Sequence, residues 1–243
     1  MKFAYLIEPP FNFTETNGRV TGCDVELARH VLRTLGIADF EPVETEFAAL
    51  LPGLGDGRWR MTTGLFGTEE RRRTALFSRP IWGLPDGLLV KAGNPRKLTG
   101  YGSIAENADL RLAVIRDQVQ HLTAMERGVA EGQIVVFETY ADAAAQVRAG
   151  AVDAYASVAR AHSGFIAANP DWGLGVAAVP HSEKAPAFGS FAFGLNDAAL
   201  LSEVDEVLAD FLGTAAHREM VAAFGFSDRE VDLVAARAGE SDG

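Results

Sequence analysis

The sequence predicts an α/β fold with parallel sheets, in which strands and helices alternate along the chain. Short apolar runs typical of buried strands are each followed by a segment whose apolar residues have helical spacing. A polar, turn-rich stretch, NPRKLTGYGSIAENAD, interrupts this alternation from residue 94 before it restarts. Since 243 residues suffice for two lobes of about 100–150 residues each, we predict one lobe from residues 1–90 plus 190–243 and another from residues 91–189.

The first part of the chain supplies the elements of one sheet. DVELARHVLRTLG (24–36) is predicted as a helix because its apolar residues share one face and a glycine ends it. Pro42 restricts the strand FEPVETE (40–46) to the edge of a sheet. FAALLPGLGDGR is predicted as a short helix broken at Pro52 and Gly55. The remaining predicted strands here are FAYLI (3–7), MTTGLF (61–66) and GLLVKAG (87–93).

The second part repeats the pattern. Its predicted strands are LRLAVI (110–115), QIVVFE (133–138), VDAYASV (152–158), GVAAVP (175–180) and the return strand SFAFGL (190–195). Helices are predicted between them, with Thr139 capping the second. Three helices then close the chain before a frayed polar tail, ARAGESDG. Because these helices have no strands of their own, we expect them to pack on the first lobe.

Composition excludes several functions. A net charge of −11 argues against nucleic acid or an anionic membrane as partner. The single cysteine, Cys23, cannot form an internal disulfide and is expected to be buried. No apolar run approaches the ~20 residues of a membrane span. The five histidines are scattered, so we predict no metal site and no cofactor.

MKFAYLIEPPF lacks a signal peptide, so either an export signal has been removed or the protein stays in the cytoplasm.

Polar and aromatic side chains follow three predicted strands. Glu8 and Phe11 follow the first, Phe47 the second, and Phe66 with Arg71 the third. Ligands of open α/β sheets lie beyond the carboxyl ends of strands, so we predict that these residues line a cleft between the lobes. Arg71 can pair with a carboxylate, the rings can face a diffuse cation, and Glu8 can accept an N–H. This chemistry predicts a small zwitterion with a delocalised or fully substituted cation.

Each of these residues also has a plainer interpretation. With 15 phenylalanines in the chain, any one of them is more often part of the core than of a binding site. Arg71 is followed by Arg72 and Arg73, and a run of charges usually forms a solvated surface. Glu8 precedes two prolines, which fits a rigid turn. The residues by themselves leave both interpretations open.

Four motifs in order resemble a known family. EPPFNFTETNGRVTGCDVELARHVLRTLG, LLPGLGDGRW, GTEERRRTALFSRPI and VRAGAVDAYAS together span most of the chain. They resemble the type II periplasmic solute-binding proteins of polar amino-acid ABC importers, family 3. The resemblance implies a two-lobed type II fold with two hinge strands that closes on a ligand. It also implies a monomer that serves the membrane permease of an ABC transporter and is not an enzyme.

Within that family the chain is most similar to the ectoine- and hydroxyectoine-binding subfamily. The shared features are EPPF, a glutamate-aromatic pair before PGL, GLF with an arginine five residues on, and KxGNP. This resemblance implies a carboxylate clamp at Arg71, an aromatic box of Phe11, Phe47 and Phe66, and a polar contact from Glu8. The predicted contacts also include Gly64 in the first lobe and, in the second-lobe loop, Asp117 and Gln118.

Three departures from the family pattern bear on the ligand. Arg60 replaces a usual aspartate, and Val158 stands where amino-acid binders commonly hold the ligand's ammonium with an aspartate. The second-lobe loop RDQVQH (116–121) has Asp117 and Gln118 in place of a glycine and a threonine. Backbone N–H groups before the following helix would suit an anion, while Asp117 more simply serves as its N-cap.

Two rival functions remain open at this level. Cyclohexadienyl dehydratases resemble this family and use the cleft for general-acid catalysis. The candidate acids here are Glu8, Asp117, His121 and Glu138, and none has the spacing of a nucleophile-base pair or a metal site. A cytoplasmic sensor is the other rival. We predict a binding protein, located in the periplasm or at the cell surface if an export signal has been removed.

Overall fold

The computed structural model describes residues 1–236. Its helices are Cys23–Thr34 (α1), Leu50–Gly55 (α2), Tyr101–Ala105 (α3), Val119–Glu126 (α4), Tyr140–Ala149 (α5), Ala159–Ala168 (α6), Ala198–Phe211 (α7), Ala215–Ala222 (α8) and Asp228–Ala235 (α9). Its strands are Lys2–Tyr5 (β1), Phe13–Thr14 (β2), Val20–Thr21 (β3), Glu41–Glu44 (β4), Met61–Thr62 (β5), Leu65–Phe66 (β6), Leu76–Phe77 (β7), Trp82–Leu84 (β8), Asp86–Lys91 (β9), Leu112–Ile115 (β10), Ile134–Phe137 (β11), Ala154–Val158 (β12), Leu174–Ala178 (β13), Ala187–Ser190 (β14) and Ala192–Phe193 (β15). The predicted polar tail lies, after Ala236, outside the described residues.

The chain divides into two compact units. Unit 1 comprises Met1–Gly83 together with the chain from Ala187 onward, and unit 2 comprises Leu84–Pro186. The chain therefore leaves unit 1 along β8 and β9 and returns along β14. None of the helices in the described part of the chain is long and apolar enough to cross a membrane.

Unit 1 is built on a five-stranded sheet in the order β4-β1-β5-β15-β7. Strand β4 is at its edge, as Pro42 predicts. Strands β4 and β5 run parallel to β1, and β15 runs antiparallel to β5 and β7. A separate three-stranded sheet, β6-β14-β8, contains the segments that lead to and from unit 2.

Helix α1 begins at a position that only glycine can occupy. Gly22 has φ 126°, and a Cβ there would fall 2.1 Å from the carbonyl oxygen of Phe11. That close approach lets Pro10 and Phe11 accept the N–H groups of Cys23 and Asp24, at 3.0 and 3.1 Å. The loop after β1 is thereby fastened to the first turn of α1, whose apolar face is buried as predicted.

Unit 2 is built on a second five-stranded sheet, β11-β10-β12-β9-β13. Strands β11, β10 and β12 are parallel and are connected through helices, whereas β9 runs antiparallel to both β12 and β13. The predicted parallel pairs are present in both units, but each of the two five-stranded sheets also contains antiparallel pairs, so both sheets are mixed. Strands β9 and β15 enter their sheets from the connecting segments, and no crossover helix fixes their direction.

Two local predictions also need correction. Pro52 does not break a helix, because it lies in the first turn of α2, where a missing N–H costs little. The predicted strand 61–66 is interrupted at Thr63 and Gly64, which separate β5 from β6. The hydrogen-bond partners of these two residues, described below, account for the interruption.

Candidate functional site

The loop after β1 holds Glu8 in a tight backbone turn. The Glu8 carbonyl accepts the N–H groups of Phe11 and Asn12, at 2.9 and 3.1 Å, and the Glu8 N–H donates to the Asn12 carbonyl at 2.9 Å. The Glu8 side chain is half-buried. Its position beside Pro9 therefore agrees with the predicted rigid turn.

Arg71 is held by the end of the strand that precedes it. Its Nη1 donates to the carbonyl of Phe66 at 2.9 Å, and its backbone N–H donates to Thr68 Oγ1 at 3.3 Å. Thr68 thus fastens the turn to Arg71. The segment after it forms only a 3₁₀ turn, Arg71–Arg73, because the next strand begins at Leu76.

Phe47 lies against the same guanidinium. The Cζ of Arg71 is 5.2 Å from the centre of the Phe47 ring, within the range of a cation–π contact. Phe47 was predicted to contact the ligand, but one face of its ring is covered by Arg71. Both side chains are half-buried.

The two arginines that follow are more exposed than Arg71. Arg73 pairs with Glu69 at 3.0 Å, and both side chains are largely in solvent, at 72% and 91% exposure. Arg72 is exposed but is not a purely solvated charge, because its Nε donates to the Gly67 carbonyl at 3.0 Å. Only Arg71 of the three is half-buried.

Trp82, at the start of β8, joins two of the three predicted aromatic residues, Phe11 and Phe66, into one cluster. Its ring centre lies 5.5 Å from that of Phe66 and 5.4 Å from that of Phe11. Gly64 and Gly189 make room for the indole, since a Cβ on either would fall 2.7 or 2.1 Å from it. Sequence reasoning missed Trp82, because Gly64 and Gly189, which leave space for its indole, lie far from it along the chain.

Phe11 and Phe66 occupy different positions in this cluster. Phe11 is only 3% exposed and packs on Phe226, with ring centres 6.0 Å apart. Phe66 is half-buried and meets Trp82 edge to face. The plainer interpretation therefore fits Phe11, whose ring supports Trp82 from the core, while Phe66 keeps an accessible surface.

Asp24 anchors both Trp82 and the loop between β5 and β6. The carboxylate is 1% exposed; its Oδ2 accepts from Thr63 Oγ1 at 2.7 Å and from the Gly64 N–H at 2.8 Å. Its Oδ1 accepts from Trp82 Nε1 at 3.1 Å and from Cys23 Sγ at 3.4 Å. Burial raises the pKa of Asp24, and these hydrogen bonds oppose the rise. The network explains why the predicted strand breaks at Thr63 and Gly64.

The hydrogen bonds of Asp24 change the role expected for Gly64, which was predicted to contact the ligand. Its N–H is engaged by the Asp24 carboxylate, so Gly64 contributes chiefly by leaving space for Trp82. Sequence reasoning also missed Asp24. The sequence did contain a signal. Asp24 lies three and four residues before Leu27 and Ala28, which places its carboxylate on the buried face of α1. An ionisable group is seldom buried without a specific partner.

In unit 2 the loop before α4 departs from the prediction. The N-cap of α4 is Gln118, not Asp117, and the cap makes no side-chain hydrogen bond. Asp117 instead has φ 62° and an exposed side chain. A left-handed residue cannot serve as an N-cap, whose backbone is extended. Gln118 is 6% exposed, and its Oε1 has no hydrogen-bond partner among the described residues.

Other polar candidates are engaged elsewhere. Glu138 pairs with Arg116 at 2.7 Å, and Arg60 pairs with Asp197, its Nε 2.7 Å from the carboxylate. Val158 is buried at the N-cap of α6. Within residues 1–236, no group of three or more His, Cys, Asp or Glu side chains is arranged to hold a metal ion.

Comparisons with known proteins agree with this architecture. A model of the bacterial extracellular solute-binding proteins, family 3, matches residues 2–224. A probable amino-acid ABC transporter periplasmic-binding protein of Sinorhizobium fredii is 29% identical over 236 residues, covering 93% of this chain and 77% of its own.

Solved structures show the same fold. EhuB in complex with hydroxyectoine is 26% identical, covers 100% of this chain and 94% of its own, and superposes with a TM-score of 0.86. An ancestral amino acid-binding protein, a precursor of cyclohexadienyl dehydratase, is 23% identical, covers 92% of this chain and 94% of its own, and has a TM-score of 0.78. The fold of this chain is therefore the type II periplasmic-binding-protein fold, and the chain belongs to family 3 of the bacterial extracellular solute-binding proteins.

Proposed function

We propose that this protein captures a small zwitterion with a delocalised cation, of the ectoine type, for import by an ABC transporter. The observation that carries the proposal is the setting of Arg71. Its guanidinium is half-buried and fixed by the Phe66 carbonyl and the Phe47 ring. A guanidinium positioned in advance can bind a carboxylate without first being ordered.

The aromatic residues support the cationic half of the proposed ligand. Phe66 is half-buried beside Trp82, and an aromatic surface attracts a diffuse cation by roughly 0.5–2 kcal/mol. At the position where amino-acid binders carry an aspartate, Val158 offers no charge to an α-ammonium group. The relative crystallised with hydroxyectoine matches over the whole of this chain.

The proposed contacts come from both units. In unit 1 they are Glu8, Phe47, Phe66 and Arg71, with Phe11 and Gly64 acting through Trp82. In unit 2 they are Gln118, whose Oε1 would accept an N–H of the ligand, and the loop around Asp117. We further propose that the protein acts as a monomer, in the periplasm or at the cell surface, and delivers its ligand to a membrane permease.

Calorimetric titration with a panel of zwitterions tests this function. The panel consists of ectoine, hydroxyectoine, glycine betaine, proline and arginine. We expect ectoine or hydroxyectoine to bind more tightly than proline and arginine, because the cation of the first two can meet the aromatic rings while Val158 offers arginine no anchor. Tightest binding of arginine would contradict the proposed ligand class and favour an ordinary amino-acid binder.

A further inference from the structure

A second buried carboxylate lies in unit 2, at the first residue of β9. Asp86 is 1% exposed; its Oδ2 accepts from the Tyr101 hydroxyl at 2.7 Å and its Oδ1 from Gln120 Nε2 at 3.0 Å. Burial raises the pKa of Asp86, opposed by these two hydrogen bonds and by the charge of Lys184. Well-packed apolar residues often give equal or greater stability than a buried charge, so this carboxylate calls for a reason beyond packing.

The partner of Asp86 on α4 lies at the start of that helix. Gln120 is in the first turn of α4, is 3% exposed, and stands two residues after Gln118. The loop before it is irregular, because Asp117 is left-handed and the N-cap makes no side-chain hydrogen bond. The Asp86–Gln120 bond thus fastens the first turn of α4 to β9, the strand by which the chain enters unit 2.

We propose that Asp86 is a positioning residue for ligand binding, acting through Gln120 to fix the first turn of α4 and the Gln118 side chain before it. This inference rests on the proposed function, in which Gln118 contacts the ligand. In this role Asp86 would act without touching the ligand itself. A displacement of about 1 Å at Gln118 is enough to spoil a hydrogen bond, whose useful range is narrow.

The rival interpretation is that Asp86 only stabilises unit 2 through Tyr101. Tyr101 lies on α3, is fully buried, and donates to the other carboxylate oxygen. Tyr101→Phe and Gln120→Met therefore form a matched pair. Each replaces a polar side chain with an apolar one of similar size and removes one hydrogen bond to Asp86. Only Gln120→Met removes the bond that holds α4.

The first measurement is ligand affinity by calorimetry, using whichever zwitterion of the panel binds the wild-type protein. We expect Gln120→Met to weaken binding roughly three- to thirtyfold, the loss that accompanies one hydrogen bond, and Tyr101→Phe to change it less than about twofold. Equal losses in both variants, or unchanged affinity in Gln120→Met, would overturn the positioning role. Should Gln120→Met fail to fold, Gln120→Asn keeps the amide but is too short to reach Asp86.

The second measurement needs no ligand. Amide hydrogen exchange at residues 117–121 should speed up in Gln120→Met and stay at the wild-type rate in Tyr101→Phe. Unchanged exchange in Gln120→Met means that Asp86 does not fix this turn, whatever the protein binds. The protein could also bind none of the five zwitterions and still show faster exchange in Gln120→Met. That result would support the Asp86–Gln120 hydrogen bond as the contact that fixes the turn. It would reject the proposed function, and with it the role of Asp86 in ligand binding.

Discussion

Arg71 illustrates how single residues prepare this site. Its guanidinium carries five N–H donors, and the bond to the Phe66 carbonyl fixes its direction while the Phe47 ring covers it. The separation of five residues between Phe66 and Arg71 is therefore the span of the turn Gly67–Glu70, which brings the guanidinium back onto the strand end. An arginine ordered in this way loses less side-chain entropy when a carboxylate binds.

Replacing Arg71 with alanine should weaken binding of the zwitterion by about 2–5 kcal/mol, the range for truncating one partner of a charge pair removed from water. Arg73→Ala is the control, because its exposed ion pair with Glu69 is worth about 0–1 kcal/mol. Calorimetry on both variants measures the difference. Equal losses in the two variants would show that these arginines act through their general charge and that Arg71 is not a clamp.

Phe66→Leu should lower the affinity by about 0.5–2 kcal/mol, since it would remove the ring that we propose to face the ligand's cation. The melting temperature should change little because Phe66 is only half-buried and the volume is roughly conserved. Phe11→Leu is the matched control: Phe11 also contacts Trp82 but is 3% exposed. It should lower the melting temperature more and the affinity less. A destabilised Phe66→Leu protein with unchanged affinity would remove Phe66 from the binding site.

At the scale of elements, His162 joins two helices to a strand. On α6, its Nε2 donates to the Gly87 carbonyl of β9 at 3.1 Å, and its Nδ1 accepts from the Tyr140 hydroxyl of α5 at 2.6 Å. Burial lowers the pKa of His162 to about 3. The folded protein therefore keeps this imidazole neutral at pH values where the unfolded chain, with a pKa near 6.5, binds a proton.

This difference predicts a pH-dependent contribution to stability. The neutral imidazole is favourable above pH ~6.5, and its contribution falls as the pH drops toward 3 because only the unfolded chain gains the proton. Between pH 7 and pH 5 the loss amounts to about 2 kcal/mol. His162→Gln removes this dependence, so its destabilisation relative to wild type should shrink by that amount. Denaturant unfolding at both pH values measures it, and a constant difference would contradict a neutral buried His162.

The order of elements could be predicted from the sequence, but the side chains that fix the site could not. Hydrophobic spacing and caps such as Thr139, whose hydroxyl accepts the Asp142 N–H at 3.1 Å, depend on neighbours along the chain. Asp24 reaches Gly64 and Trp82 across 40 and 58 residues. No local pattern encodes those partners. The break at Thr63, the burial of Phe11 and the Asp86–Gln120 hydrogen bond also depend on partners that are distant in sequence, so the sequence did not predict them.

Over the whole molecule, the two units contribute different chemistry. Unit 1 carries the fixed guanidinium and the aromatic cluster, and unit 2 carries a buried amide oxygen on Gln118 at the start of a helix. Each unit also has a buried carboxylate: Asp24 accepts from Trp82 of β8, and Asp86 of β9 accepts from Gln120 of α4. If the ligand takes the contacts that we propose from each unit, it binds only when both units are folded. Binding should therefore stabilise the entire chain.

Thermal unfolding tests that coupling. A ligand at 100 times its dissociation constant adds about 2.7 kcal/mol to the free energy of unfolding, which for a chain of this length raises the melting temperature by roughly 5–10 °C. In Arg71→Ala at the same ligand concentration the stabilisation should fall to about 1 kcal/mol or less. It should be smaller in Gln118→Ala, because that variant removes the acceptor supplied by unit 2. An undiminished rise in Gln118→Ala would contradict the proposed contact of Gln118 with the ligand.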